Sequence, residues 1–262
     1  MQICDQLSTT PNTPIDAIKA AAARLSIGSG IETTDHAGRC SSCTMRDICM
    51  PPGLDAHAYE KIDAVICTSK RVMRGEALYR AGTPFTNLYA VRVGSMKTVT
   101  TLADGLEQIT RFDLTGDALG FDGVYNDVHT CDAIALENSV VCIIPFPLLE
   151  LLCREVRVMQ RHVHKMMSGE IVRESGQMLM LSTMRAEQRV AAFLLSISQR
   201  MKVRGYSASE FNLRMTREEL ASYLGMKIET VSRSFSRLQR EALIDVHGRL
   251  VHILDMDRLK AL

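Results

Sequence analysis

Three cysteines, Cys40, Cys43 and Cys49, lie within ten residues near the start of the chain. Spacings of two and five residues let a loop wrap several thiolates around one small inorganic centre, whereas no regular helix or strand would place all three on one side. Pro51 and Pro52 then end the loop, because two fixed φ angles cannot continue a helix. We interpret the stretch as a metal-binding loop and favour an iron–sulfur centre over structural zinc, whose second close Cys or His pair is missing. Three unligated surface cysteines remain an alternative.

The composition leaves room for one large or two modest domains in 262 residues, and 46% hydrophobic with 23% charged residues is typical of a soluble globular protein. The net charge of +1 conceals an asymmetry. Residues 183–262 carry 14 Lys and Arg against 9 Asp and Glu, a charge of +5, which leaves −4 on residues 1–182. A basic C-terminal third fits a nucleic-acid-binding module joined to a different domain.

The N-terminus lacks the basic start and apolar core of a signal peptide. The most apolar run, residues 139–153, contains Pro145, Pro147 and Glu150 and is too short to cross a bilayer. We therefore expect a cytoplasmic protein, whose eight cysteines serve as ligands, sensors or buried apolar groups rather than as disulfides. Residues 1–39, Ala-rich and then rich in Ser and Gly, are predicted to form a flexible extension.

Short β-prone runs separated by glycines fill residues 54–144, and Asp104-Gly105 is a hairpin signal between two of them. This spacing predicts a closed or jelly-roll-like β domain. From residue 148 to 182 the pattern changes to one long helix without proline.

That helix carries a stripe of residues at alternating spacings of three and four, as in a two-stranded coiled coil. The stripe consists of His164, Met167, Ile171, Glu174, Met178 and Leu181. Such a stripe can also be an intramolecular packing face, but a monomer would have no reason to bury Glu174. Across a two-fold axis two Glu174 carboxylates would repel unless one took up a proton. We therefore predict an adjustable homodimer seam.

The C-terminal segment contains a capping box at residues 216–219, where Thr216 and Glu219 can satisfy each other's backbone N–H groups. Gly225 then makes a tight turn into a second amphipathic helix, and a β-hairpin wing is expected over residues 243–254. Helix, glycine turn and helix predict a helix-turn-helix, whose second helix lies in the major groove of DNA. An ordinary amphipathic helix with a solvated polar face is the alternative.

The outward face of the second helix carries side chains suited to base recognition. Arg233 can pair with guanine O6 and N7, Glu229 can accept from a cytosine amino group, and Ser232 can bond base or phosphate. The candidate DNA-contacting residues are Glu229, Ser232, Arg233, Ser236 and Thr216. No nucleophile–base pair or second cofactor motif indicates an enzyme.

From residue 40 onward the chain resembles the oxygen-responsive FNR branch of the CRP/FNR transcription regulators. The resemblance rests on the cysteine loop and on LYAVR at 88–92, EQIT at 107–110, GD at 116–117, GFD at 120–122, VCIIPF at 141–146, MSGEI at 167–171 and ETVSR at 229–233. It implies an α+β fold with a cysteine loop and β-roll sensor domain (40–147), a dimerisation helix (148–182) and a winged helix-turn-helix (183–262).

The resemblance also implies a [4Fe–4S] cluster, whose fourth ligand precedes an Ile-Pro-Phe stretch and is therefore Cys142, with Cys131 as second choice. Cys67 and Cys153 are expected to be buried apolar thiols. The cyclic-nucleotide-binding relatives grip a phosphate with an Arg-Ser pair, but residues 126–133 contain two aspartates and no arginine. We therefore expect no cyclic nucleotide.

The function so implied is an oxygen sensor that dimerises when the cluster is intact under anaerobic conditions. It would bind palindromic half-sites like TTGAT/ATCAA and control anaerobic gene expression. Gly105 and its neighbours resemble the surface that contacts RNA polymerase. Two alternatives remain: a CRP-family regulator that responds to nitric oxide or another redox signal, and an iron–sulfur redox enzyme.

Overall fold

The computed structural model describes residues 39–262 except Cys67, so the predicted N-terminal extension up to residue 38 and the environment of Cys67 lie outside the described residues. The helices are α1 (Arg46–Cys49), α2 (Ala56–Val65), α3 (Phe146–Glu155), α4 (Arg157–Thr183), α5 (Ala186–Val203), α6 (Arg217–Leu224), α7 (Ile228–Arg240) and α8 (Met256–Lys260). The strands are β1 (Thr68–Val72), β2 (Ala77–Tyr79), β3 (Asn87–Val93), β4 (Ser95–Thr101), β5 (Glu107–Leu114), β6 (Ala118–Leu119), β7 (Asp132–Ala135), β8 (Ser139–Pro145), β9 (Glu210–Asn212), β10 (Ile244–His247) and β11 (Leu250–Ile253).

Two four-stranded antiparallel sheets form a β-roll, in the strand orders β1-β8-β3-β6 and β2-β7-β4-β5. The predicted hairpin at Asp104-Gly105 is confirmed, since it joins β4 to β5 and Gly105 has a φ of +84°. Such a φ is nearly free of strain only for glycine. The α+β fold class, with its β-roll, long helix and winged helix-turn-helix, is confirmed.

The two faces of the first sheet bury different cores. Along β8, Val141 and Ile143 point into the roll, where both are nearly inaccessible to solvent. Cys142 and Ile144 alternate with them and therefore point outward, as the two-residue period of a strand requires. The outer face is covered by the cysteine loop and by α2, α3 and the start of α4, which share one apolar cluster with it.

The prediction of one continuous helix over residues 148–182 is wrong, because the chain breaks at Val156, whose φ of −122° and ψ of 89° are not helical. α3 buries Leu148, Leu149 and Leu152 against the outer face of the roll. α4 then begins at Arg157. Hydrophobic periodicity and the absence of proline could not register this break, since it follows from packing against distant strands.

The C-terminal domain contains α5, the predicted helix-turn-helix of α6 and α7, and a three-stranded sheet in the order β10-β11-β9. The capping box is present, with Thr216 Oγ1 accepting from Glu219 N–H at 3.1 Å and Glu219 Oε2 accepting from Thr216 N–H at 2.7 Å. Gly225 ends α6 in the left-handed conformation, and β10 and β11 form the predicted wing. No helix in the described part of the chain is long and apolar enough to cross a membrane.

The C-terminal domain docks against the second sheet of the roll. The Phe112 ring of β5 lies 5.1 Å from the Tyr223 ring of α6, and Lys97 of β4 pairs with Glu219 at 2.9 Å. Ser222 Oγ accepts from the Ile109 backbone N–H at 2.9 Å. Apolar residues from both domains form one cluster, so the position of the helix-turn-helix depends on the roll.

Candidate metal centre and nucleic-acid interface

The cysteine loop is built from very short elements held by distant partners. A single 3-10 turn covers Cys40–Ser42 and the four-residue α1 ends at Cys49. Ser41 donates its N–H and its hydroxyl to the Asp63 carboxylate of α2, at 3.1 and 2.5 Å. Isolated helices of this length are unstable in water, so these tertiary contacts and the apolar cluster under the loop fix its shape.

Four thiols line one cavity: Cys40, Cys43, Cys49 and Cys142. The fourth lies in the middle of β8, paired with Ser69 of β1 and Ala90 of β3, so the sheet holds it rigidly. Met45, Met50, Ile66 and Ile144 supply apolar walls. The structure thus brings together the three loop cysteines and the cysteine that the resemblance selects.

Burial and mutual repulsion raise the pKa of three of these thiols, Cys40, Cys49 and Cys142. Burial raises the pKa of Cys40 to about 12, and Cys142, Asp63 and the other loop cysteines add to the rise. Burial likewise raises the pKa of Cys49 to about 12, with further contributions from Cys142 and Cys43. Burial raises the pKa of Cys142, although Arg92 opposes the change. A cationic iron centre would offset this repulsion, because thiolates are the ligating form.

The donor set fits an iron–sulfur cluster, since four cysteines surround one apolar cavity and such clusters are held by four thiolates. In residues 39–66 and 68–262, no three Cys, His, Asp or Glu side chains are grouped closely enough to hold a metal ion. The four thiols therefore share a cavity without converging on a single point.

The other described cysteines lie elsewhere. Cys131 is buried inside the roll, on the opposite side of the sheet from the cavity, and Asp122 and burial raise its pKa. Cys153 lies half-buried on α3. Neither lines the cavity, so Cys131, the second choice for the fourth ligand, lies away from the three loop cysteines.

α4 touches the cysteine loop directly through His162, whose Nε2 lies 3.0 Å from the carbonyl oxygen of Cys49. Burial lowers the pKa of this imidazole, so at neutral pH it is uncharged and Nε2–H donates the bond. Met159 and Val163 of the same helix lie in the apolar cluster under the loop. Sequence reasoning missed His162, because the contact joins residues 113 apart and no local signal marks it.

The six predicted seam residues divide into two groups on the single chain. His164, Ile171, Glu174 and Met178 are exposed, with Ile171 at 65% and Met178 at 71%. Met167 instead packs partly against the cluster under the loop, and Leu181 packs partly against the C-terminal domain. The middle of the stripe is therefore a free apolar surface around one acid.

The predicted DNA-contacting residues of α7 lie on its exposed face. Glu229, Ser232, Arg233 and Ser236 share the outward face, while Val231, Phe235 and Leu238 are buried. Arg217 of α6 stacks over the Phe235 ring at 3.4 Å and ties the two helices together. Thr216 is half-buried, and its hydroxyl oxygen already accepts the capping bond.

Sequence reasoning missed two further cations on this face, Arg237 and Arg240. They line an open groove with Arg233 between the start of α5 and α7. Arg237 donates to Glu187 at 3.1 Å and to Glu241 at 2.9 Å. Arg237 follows Arg233 by four residues and Arg240 follows Arg237 by three, which is a helical-face signal that the sequence does contain.

The chain is similar to known proteins in both its β-roll and its C-terminal domain. Residues 188–262 match the Crp-like helix-turn-helix domain, and residues 69–156 match the Cyclic nucleotide-binding domain. The chain is 43% identical over 232 residues to the transcriptional regulatory protein btr of Bordetella pertussis, covering 88% of this chain and 96% of that protein. It is 38% identical over 232 residues to the fumarate and nitrate reduction regulatory protein of Yersinia pestis, covering 88% and 93%.

Among solved structures, FixK2 from Bradyrhizobium japonicum superimposes with a TM-score of 0.69 at 29% identity. The match covers 74% of this chain and 96% of FixK2. The arrangement of roll, long helix and C-terminal domain is therefore shared with a known protein.

Proposed function

Because the chain belongs to the FNR branch of the CRP/FNR family of transcription regulators, we propose that it senses oxygen and controls anaerobic gene expression. As a member of that family it is a DNA-binding regulator and not an enzyme. The observation that carries the proposal is the cavity shared by Cys40, Cys43, Cys49 and Cys142, directly beside the helix with the free apolar stripe.

The four cysteines would hold a [4Fe–4S] cluster, which supplies iron that reacts with oxygen. The thiolates tie α1 to β8, so that the loop and the sheet move as one body. Cys49 also presents its carbonyl to His162 of α4 at 3.0 Å. Through this contact, the position of the loop affects the position of α4, the helix that carries Ile171, Glu174 and Met178.

With the loop fixed, α4 pairs with its copy across a two-fold axis and buries the exposed stripe. Burying Ile171 and Met178 favours the homodimer, and the two Glu174 carboxylates oppose it. A seam balanced in this way responds to a bias of a few kcal/mol. Loss of the cluster would free the four cysteines, so the loop would be released and the dimer would dissociate.

The dimer presents two copies of α7 to successive major grooves of a pseudo-palindromic site. Glu229, Ser232, Arg233 and Ser236 recognise half-sites like TTGAT/ATCAA, and Thr216 can still donate its hydroxyl hydrogen to a phosphate. DNA is the partner, so the protein works in the cytoplasm.

The β4–β5 hairpin supplies a surface for RNA polymerase. Leu102 and Leu106 are 51% and 59% exposed at either side of Gly105, and exposed apolar groups of this kind mark contact sites for proteins.

The β-roll shares the fold of cyclic-nucleotide-binding domains, but we expect no nucleotide there. Asp132 accepts from the Ala81 N–H at 2.8 Å and from Arg80 at 3.0 Å, and His129 stacks on Tyr79 with ring centroids 3.8 Å apart. This region therefore has the Asp132 carboxylate and a closely packed pair of rings instead of groups that would bind a phosphate.

The test is sedimentation and DNA binding of anaerobically purified protein, followed by stepwise addition of air. We expect dimers that bind a TTGAT/ATCAA site with high affinity, and monomers with weak binding after air. Equal binding before and after air would contradict oxygen sensing, and a response to nitric oxide alone would favour the nitric oxide alternative.

A further inference from the structure

The turn between β5 and β6, residues 115–117, touches the cysteine loop. Gly116 has a φ of +92°, and a Cβ at this position would lie 2.6 Å from Cγ2 of Ile48. The Sγ of Cys49 lies 4.0 Å from the Gly116 carbonyl oxygen. No side chain separates the loop from this turn, so a displacement of α1 must either move the turn or open a gap beside it.

The opposite side of the same turn is held by the C-terminal domain. Arg204, which follows α5, donates from Nε to the Thr115 carbonyl at 2.5 Å and from Nη2 to Asp117 Oδ1 at 2.7 Å. Arg200 of α5 donates to the other carboxylate oxygen of Asp117 and, at 2.8 Å, to the Phe112 carbonyl. Two guanidinium groups, one from the last turn of α5 and one from the residue that follows it, therefore clamp a three-residue turn.

The charged side chains of this clamp are largely shielded from solvent. The side chains of Asp117 and Arg204 are 15% and 6% exposed. Burial raises the pKa of Asp117, but Arg200 and Arg204 lower it by more, so the pKa lies below its usual value and the carboxylate is ionised at neutral pH. Removing one partner would leave a desolvated charge without its counterion, which favours undocking of the helix.

We propose that Asp117 is a positioning residue that couples the cysteine loop to the DNA-binding domain of the same protomer. The chain of contacts runs from Ile48 through Gly116 to Asp117 and then to Arg200 and Arg204. It lies within one chain, so it acts separately from the dimer helix. As a route for the oxygen signal it rests on the proposed function, but the coupling itself needs no cluster.

The test is amide hydrogen exchange of residues 200–204, the last turn of α5 and the residue after it, in the full-length, cluster-free protein under reducing conditions. Asp117→Asn should raise their exchange rate roughly tenfold, because the ionic clamp on the helix end is lost. Ile48→Ala should raise the same rate several-fold, although it lies on the other side of the turn. In the double variant Ile48→Ala should add nothing beyond Asp117→Asn, because the route is already cut.

Lys97→Gln is the matched control, since it breaks the 2.9 Å pair with Glu219 at the same domain interface without touching the loop. In that background Ile48→Ala should keep its full effect on residues 200–204. Asp117→Glu, which retains the carboxylate, should restore part of the response to Ile48→Ala. If Asp117→Asn does not fold, Arg204→Gln cuts the clamp from the other side.

Additive effects of Ile48→Ala and Asp117→Asn would overturn the coupling and leave Asp117 with a purely structural role. An Ile48→Ala protein with parental exchange at residues 200–204 would overturn it as well. If the proposed function is wrong, anaerobically purified protein would contain no iron or sulfide. The hydrogen-exchange result would not be affected by that outcome.

Discussion

The cysteine loop and the helix-turn-helix are stabilised in opposite ways. The helix-turn-helix carries its own capping box and its own glycine turn, so the start of α6 and the turn into α7 follow from contacts between residues close in the sequence. The loop consists of a three-residue turn and a four-residue helix, held by Asp63, Gly116 and His162 from distant parts of the chain.

The difference shows where a signal can act. Few contacts fix the loop, so binding or losing a ligand there can change its position at small cost. We expect α7 to stay folded in either state, so the signal would change where this helix is placed and how it pairs with its copy.

The largest effect is expected at the loop side. Cys49→Ser or Cys142→Ser should abolish cluster assembly, because each thiolate occupies one iron vertex. Iron and sulfide counts of anaerobically purified variants measure this. Cys131→Ser and Cys153→Ser are the matched controls, since neither residue lines the cavity, and both should keep full occupancy. A cluster-free Cys131→Ser beside a normal Cys142→Ser would show that the fourth ligand is misassigned.

At the seam, Ile171→Glu should weaken the dimer by about 3 kcal/mol or more, because it adds an unpaired acid to an apolar interface. Sedimentation of the anaerobic protein should then show monomers with the cluster intact. Ile171 is a sharper probe than Met167, which already packs against the core of its own chain. Val158→Glu, exposed on the same helix but outside the stripe, is the control and should remain dimeric.

On the recognition helix, Arg233→Ala should weaken specific binding by about 1–3 kcal/mol and relax selection at one guanine, with non-specific binding little changed. Glu229→Ala should loosen selection at a neighbouring base pair. Titrations against a panel of single-base variants of the half-site measure both effects. Equal losses on every sequence would assign these side chains to phosphate contacts.

The balance of the seam is tested by Glu174→Ala, which removes two like charges worth roughly 2 kcal/mol in a partly buried interface. The variant should dimerise and bind its site in air, without a cluster. A Glu174→Ala protein as monomeric in air as its parent would place the acid outside the seam.

The smallest effect concerns the local stability of the helix-turn-helix. Thr216→Ala should lower the free energy of unfolding by about 1 kcal/mol, because the Glu219 N–H loses its acceptor. Thr216→Ser keeps the hydroxyl and should unfold like the parent.

The Glu219 carboxylate adds a pH dependence to the free energy of unfolding. Burial raises the pKa of Glu219, but the Thr216 N–H and Lys97 lower it by more. Its contribution to stability is therefore present above about pH 4 and is lost as the pH falls further. Denaturant titrations at pH 7 and pH 3.5 should show this loss.

The same contrast explains how much the sequence could predict. Thr216, Glu219 and Gly225 specify the helix-turn-helix locally, and the structure confirms these elements. Composition and spacing could not choose the fourth thiol, and Cys142 came from a resemblance. The two-residue alternation of β8 supplies the physical reason, because it turns Cys142 toward the loop.

The long-range contacts could not be predicted from the sequence. The break at Val156, the bond from His162 to the loop and the clamp on Asp117 each depend on residues far apart in the chain. Such contacts leave no periodic or turn signal in the segments that make them. The His162 bond and the clamp on Asp117 lie on the paths that we propose for the signal.

The most direct test of the central claim is the visible absorbance of anaerobically purified protein, with iron and sulfide counts, before and after air. A cluster held by the four thiols predicts broad visible absorbance with about four iron and four sulfide per chain, all of it lost or altered by air. Colourless protein without iron or sulfide, or a spectrum unchanged by air, would contradict the account.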